Sequence, residues 1–145
     1  SLLPATPFGI AKVQELSQFI ELYFELVARR LIPNLLSGTE PNPAVLKEVE
    51  DKLYKAAAAL SKLSSFEQFA YGDQFTLADI AVILNLPIVR SVGLKFLGKD
   101  PLSEIPGLDA YCARMEERPH VQKIRADAET NRPGFMAHLK VLYGI

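Results

Sequence analysis

The chain has 145 residues, 49% apolar and 23% charged, enough for one domain with a sizeable buried core. Its 16 basic and 17 acidic residues leave a net charge of −1 and no basic field to hold a nucleic-acid backbone. No uninterrupted apolar run nears the roughly 20 residues of a membrane helix, no leader pattern is present, and the lone Cys112 excludes an internal disulfide.

Apolar residues recur at periods near 3.6 and no stretch alternates as a strand would, so the chain reads as all-α. Thr6 followed by Pro7 is a helix cap with a proline at the first helical position, where the missing N–H costs nothing. From there Val13, Leu16, Ile20, Tyr23, Phe24, Val27 and Leu31 form one apolar stripe, which Phe19, Leu22 and Leu26 widen. Such a helix is expected to be buried on more than one flank, and Pro33 to end or bend it.

Asn42 and Pro43 repeat the cap-plus-proline signal. The helix they open carries Leu46, Val49, Leu53, Ala56, Ala57, Leu60 and Leu63 on one face and Lys47, Glu48, Asp51, Lys52 and Lys55 on the other. Pairs four residues apart, Glu48–Lys52 and Asp51–Lys55, are expected along the charged face. Ser64 to Asp73 reads as a loop.

Residues 72–79 read Gly-Asp-Gln-Phe-Thr-Leu-Ala-Asp. Thr76 and Asp79 have capping-box spacing, Phe75 and Ile80 can close a hydrophobic staple, and Gly72 permits a positive φ in the preceding turn. The helix that follows is apolar almost all round through Val89, the signature of a bundle's central helix, with a kink expected at Pro87. Asp79 reads as a structural cap, and on that role alone Asp79→Ala should cost on the order of 1–2 kcal/mol.

Gly98 to Pro106 is rich in turn formers, with a short helical piece expected near Pro101. A helix from about Gly107 to Glu117 follows, and Pro119 opens another to about Glu129. Thr130 to Gly134 then reads as a break before a short terminal helix, Phe135 to Leu142. The sum is an all-α bundle of about six helices around a buried central one.

The octet at 72–79 resembles the start of the central helix in the α-helical C-terminal domain of cytosolic, bacterial-type glutathione transferases. Ile105 to Tyr111 with Arg114 to Pro119 is similar to that family's next helix and its Arg-Pro break, and Leu2 to Pro7 to its interdomain linker. The resemblance implies one such domain over residues 1–145, with 1–6 the remnant of the linker, cut from a longer protein. It also implies an N-terminal thioredoxin-like domain as partner, glutathione as co-substrate, a hydrophobic electrophile, a homodimer and a cytoplasmic location. It implies no metal, nucleic acid or membrane.

In that family the first helix flanks the cleft between domains. Tyr23, Phe24 and Val27 are of the right types for the walls of an apolar pocket, the phenol able to donate to an electrophile or leaving group. Glu25 and Arg29 could reach the charged ends of glutathione. For each residue the alternative is ordinary: aromatics in the core, charges on a solvated face.

No catalytic residue is expected here, because the family's serine, tyrosine or cysteine lies on the thioredoxin-like domain, and glutathione attacks only when a donor lowers its thiol pKa. His120 and His138 lack any metal-ligand spacing. Cys112 lies on an apolar helical face and reads as a small hydrophobe. A second function of another class stays open, a non-catalytic interaction module of the same helical type.

Overall fold

The cap signals act where the sequence places them. In the computed structural model, which describes residues 1–144, the Thr6 hydroxyl oxygen accepts from the Gly9 N–H at 3.1 Å and Pro7 begins the first helix. That helix, α1, runs Pro7–Ile20, passes through one turn of π-helix, Glu21–Glu25, and closes as Leu26–Arg29. The Leu26 N–H reaches back five residues to the Glu21 carbonyl. Pro33 does not bend α1. It lies in the first turn of a separate short helix, α2 (Ile32–Ser37), where its missing N–H is harmless.

Asn42 opens α3 (Pro43–Leu63), its side-chain oxygen accepting from Ala44 at 2.9 Å and Val45 at 3.4 Å. The central helix, α4 (Leu77–Val92), continues without interruption through Pro87 into a π-helical turn, Gly93–Leu97. The Pro101 stretch forms turns and no helix. Two helices complete the six, α5 (Leu108–Glu116) and α6 (Pro119–Tyr143). Among the described residues there is no β-strand.

α4 packs along α1, and its Ala78, Val82, Leu86, Val89 and Val92 enter one core with Leu16, Ile20 and Phe24 of α1 and Leu53 and Leu60 of α3. One flank of α4 stays open, with Leu84 half exposed. With its π turn this helix spans 21 residues, Leu77–Leu97, with an 18-residue window of mean hydropathy 1.7, long and apolar enough to cross a membrane. The sequence hides that length because Asp79, Asn85 and Arg90 interrupt the apolar run. A fully buried, hydrogen-bonded Asp79 and close packing on α1 make it the core helix of a bundle.

Asp79 is more than a cap. Besides closing the capping box by accepting from the Thr76 N–H at 2.7 Å, its carboxylate accepts from the Thr76 hydroxyl at 3.1 Å, the Ala70 N–H at 2.8 Å and the Tyr111 hydroxyl at 2.8 Å. The start of α4, the loop before it and α5 thus meet on one side chain. The same loop is tied by Ser64, which donates to the Ala70 carbonyl at 2.8 Å, and by Arg114, which donates to the Phe66 and Glu67 carbonyls at 3.1 and 2.6 Å. Gly72 has φ +67°, as the octet suggests, and Gly107 has φ +76° where a Cβ would sit 2.7 Å from the Ser65 carbonyl oxygen. Phe75 stacks edge-on against Phe69 with the Arg118 guanidinium 4.6 Å above its ring.

The break expected at Thr130 to Gly134 is absent, for α6 runs through it. Thr130 and Asn131 donate to the carbonyls of Ala126 and Asp127, four residues back, at 2.9 and 2.7 Å, so their side chains bond within the helix and do not interrupt it. Ion pairs Lys123–Asp127 and Arg132–Glu129 brace the same stretch.

Candidate functional site

Two helices enclose the largest apolar recess along α1. Phe19, Leu22, Tyr23 and Val27 of α1 face Lys52, Lys55, Ala56 and Ala59 of α3 across a cavity of about 560 Å³. The alanines are what leave the room, since larger side chains at those positions would fill the gap against α1. Tyr23 is 54% exposed and packs against Phe19 at 4.9 Å between ring centres, an aromatic wall of the recess. Lys52 pairs with Glu48 at 2.5 Å, whereas Lys55 has no carboxylate partner among the described residues. Asp51, expected to pair with Lys55, takes Lys47 instead at 2.5 Å.

The structure sorts the sequence-derived residues along α1 into three places. Tyr23 and Val27 meet in the cavity. Phe24 does not join them. It is fully buried and packs edge-on against Phe19 at 6.0 Å, a core residue and not a pocket wall. Successive side chains on a helix point roughly a quarter turn apart, so neighbours at 23 and 24 face different ways: Phe24 takes the core position and Tyr23 turns out. The expected burial of α1 on more than one flank is incomplete among the described residues, since Leu22 and Leu26 stay half exposed.

Glu25 and Arg29 form an ion pair four residues apart, with the Glu25 side chain 13% and the Arg29 side chain 54% exposed. The hydrogen bond and charge of Glu25 raise the Arg29 pKa, and Tyr143 near the end of α6 adds to the shift in the same direction. The pair is therefore a donor-rich, partly shielded cation beside the end of α6, separate from the α1–α3 cavity. Thr76 and Asp79 lie in the interior and take no part in either place.

Sequence reasoning missed the α3 side of the cavity and the arrival of Tyr143. The run of alanines at 56–59 was the one local sign of it, because small residues on an otherwise leucine-rich face mark where two helices leave space. Nothing local announces Tyr143, since its approach depends on α6 being continuous. Among the described residues no cluster of three or more His, Cys, Asp or Glu could hold a metal ion. His120 and His138 are both exposed. Cys112 is half-buried, and burial raises its thiol pKa.

An all-helical bundle with a buried central helix capped by Thr76 and Asp79 defines the class. Residues 14–119 match the family model described as the glutathione S-transferase C-terminal domain, and the chain belongs to that family. It is 36% identical over 140 residues to a glutathione S-transferase of Pseudomonas putida, an alignment that covers 97% of this chain. The chain spans 64% of that relative's length.

Proposed function

We propose that this chain is the helical part of an enzyme that adds the thiolate of glutathione to hydrophobic electrophiles. The observation that carries the reading is the apolar α1–α3 cavity, where Tyr23 and Val27 meet over an alanine floor beside a lysine rim. An apolar recess with few polar anchors suits an uncharged, flat electrophile, and the Tyr23 hydroxyl can donate to the charge that develops on a leaving group. Glu25 and Arg29 offer an acceptor and a donor to the charged ends of glutathione, Arg29 the more accessible of the two. Residues 1–6 serve as the linker from an N-terminal thioredoxin-like domain, which supplies the group that lowers the pKa of glutathione's thiol. The half-exposed Leu22 and Leu26 form part of the contact with a second copy in a cytoplasmic homodimer.

The experiment has two arms. The chain alone, given glutathione and 1-chloro-2,4-dinitrobenzene, shows no turnover above the uncatalysed rate, and turnover by the chain alone overturns the placement of the chemistry. In the longer polypeptide that includes the upstream domain, Tyr23→Ala raises KM for the electrophile and leaves KM for glutathione unchanged. The opposite split assigns the cavity to something other than the electrophile.

A further inference from the structure

On the flank of α4 turned away from α1, a second cavity of about 290 Å³ opens between α4, α5 and the start of α6. Its apolar wall comes from Ile83, Leu86 and Pro87 of α4 and Met115 of α5. Its polar lining is Arg90, Cys112, Glu116 and Arg125, two guanidiniums against one carboxylate. The volume sits at the small end of ligand pockets, which run from about 300 Å³ upward.

Both arginines are held in place. Arg125 grips Glu116 through Nε at 3.1 Å and Nη2 at 2.7 Å, and its Nη2 also donates to the Ile83 carbonyl at 3.0 Å. That carbonyl is the one Pro87 leaves without a helical donor, so Arg125 is anchored to the wall itself. Arg90 bonds to Asp109 and lies 3.4 Å from Asp100, neither of which lines the cavity. A guanidinium carries five N–H groups in a fixed fork. Nη1 of Arg125 and Nε of Arg90 are left without a partner among the described residues. Each guanidinium is paired with a carboxylate, Arg90 with Asp109 and Arg125 with Glu116, and the fixed donors left over beside an apolar wall suit an anion with an apolar body. Cys112 adds no competing negative charge, since burial keeps its thiol protonated.

We propose that this groove binds a small apolar carboxylate, its hydrocarbon body against Ile83, Leu86, Pro87 and Met115 and its head on the free N–H groups of Arg90 and Arg125. The site is distinct from the α1–α3 cavity and does not depend on its assignment.

The chain supplies its own reporters. Of its two methionines, Met115 lines the groove and Met136 lies on the C-terminal half of α6, and Cys112 is its single cysteine. With methionine methyls labelled by carbon-13, octanoate shifts the Met115 signal and not that of Met136, and it slows alkylation of Cys112 by N-ethylmaleimide. Octanamide, of the same shape without the charge, requires about tenfold higher concentration for the same shift. Arg90→Gln, confirmed folded by circular dichroism, removes the preference for octanoate. Absence of a Met115 shift, equal shifts at both methionines, or equal affinity of octanoate and octanamide for the unsubstituted chain each overturns the proposal.

Discussion

Replacing Asp79 by alanine tests how the bundle is held together. As a helix cap alone, its loss costs on the order of 1–2 kcal/mol. The geometry demands more. The side chain is fully buried, and its removal strands the backbone N–H groups of Thr76 and Ala70 and the hydroxyl of Tyr111, each now within 2.8 Å of an acceptor. A buried donor left unmade costs about 1–3 kcal/mol, so three of them, with some relief from relaxation, amount to on the order of 4 kcal/mol. That is a large share of the roughly 5–15 kcal/mol that holds a domain folded. Tyr111→Phe alone removes one donor and costs about 1 kcal/mol. In the Asp79→Ala background the same change costs nothing, because the phenol has already lost its acceptor. The chain has no tryptophan, so urea unfolding is best followed by far-ultraviolet circular dichroism, with an unchanged m value as the check on two-state behaviour. A cost of 2 kcal/mol or less for Asp79→Ala, together with strict additivity of the pair, would refute the shared network. Burial and the neighbouring Asp79 also raise the Tyr111 pKa above its ordinary 10.0. A raised pKa means that the stabilisation is complete below pH 10.0 and declines only as pH climbs beyond it.

Two further predictions address the surface and the far flank of α4. Arg125→Ala leaves the Ile83 carbonyl without its donor and costs on the order of 1–2 kcal/mol, whereas in the Pro87→Ala background the restored backbone N–H takes over and the cost falls by about 1 kcal/mol; additive urea-unfolding energies would show that Pro87 and Arg125 do not share that carbonyl. Glu48 is hydrogen-bonded first by Arg30, at 2.9 Å, and also by Lys52, and its pKa falls from 4.5 to about 2. A depressed pKa gives a stabilisation that is present above 4.5 and is lost as pH falls toward about 2. A carbon-13 carboxyl titration reads this midpoint directly, and Arg30→Ala moves it up toward 4.5; a midpoint unmoved by that substitution removes Arg30 as the cause.

Helix starts were legible in the sequence because they are local. Thr6-Pro7, Asn42-Pro43 and Thr76 with Asp79 each satisfy orphan N–H groups within a few residues, Pro119 removes one, and all four begin helices. Helix ends and interruptions were less legible because neighbours decide them. The Thr130 to Gly134 stretch has the composition of a break, yet its polar side chains bond back along the helix. Pro87 orphans a carbonyl inside α4, and a cation 38 positions away, Arg125 against Pro87 in the numbering, takes it while the helix continues. At the α1 site the residue types were readable and the direction of each side chain was not. The apolar stripe is broad enough to hold both Tyr23 and Phe24, and the packing of α1 against α3 and α4 decides which is wall and which is core.

The same contrast explains where this domain can do chemistry. Asp79 is the most buried carboxylate in the described structure and by that measure the natural suspect for catalysis. Its four accepted hydrogen bonds exhaust its capacity on the protein itself, so nothing is left for a ligand. The groups with unused capacity lie at the periphery: Tyr23 and Lys55 lining one cavity, Arg29 beside the end of α6, and Arg90 and Arg125 lining the other. The fully satisfied centre fixes the start of α4, the loop before it and α5 on one buried network, and a ligand that meets the α4–α5 flank meets groups already in place. Loss of Asp79 should therefore weaken the cavity between α4 and α5 before the one between α1 and α3, whereas loss of Tyr23 or Arg90 should affect only the cavity it lines.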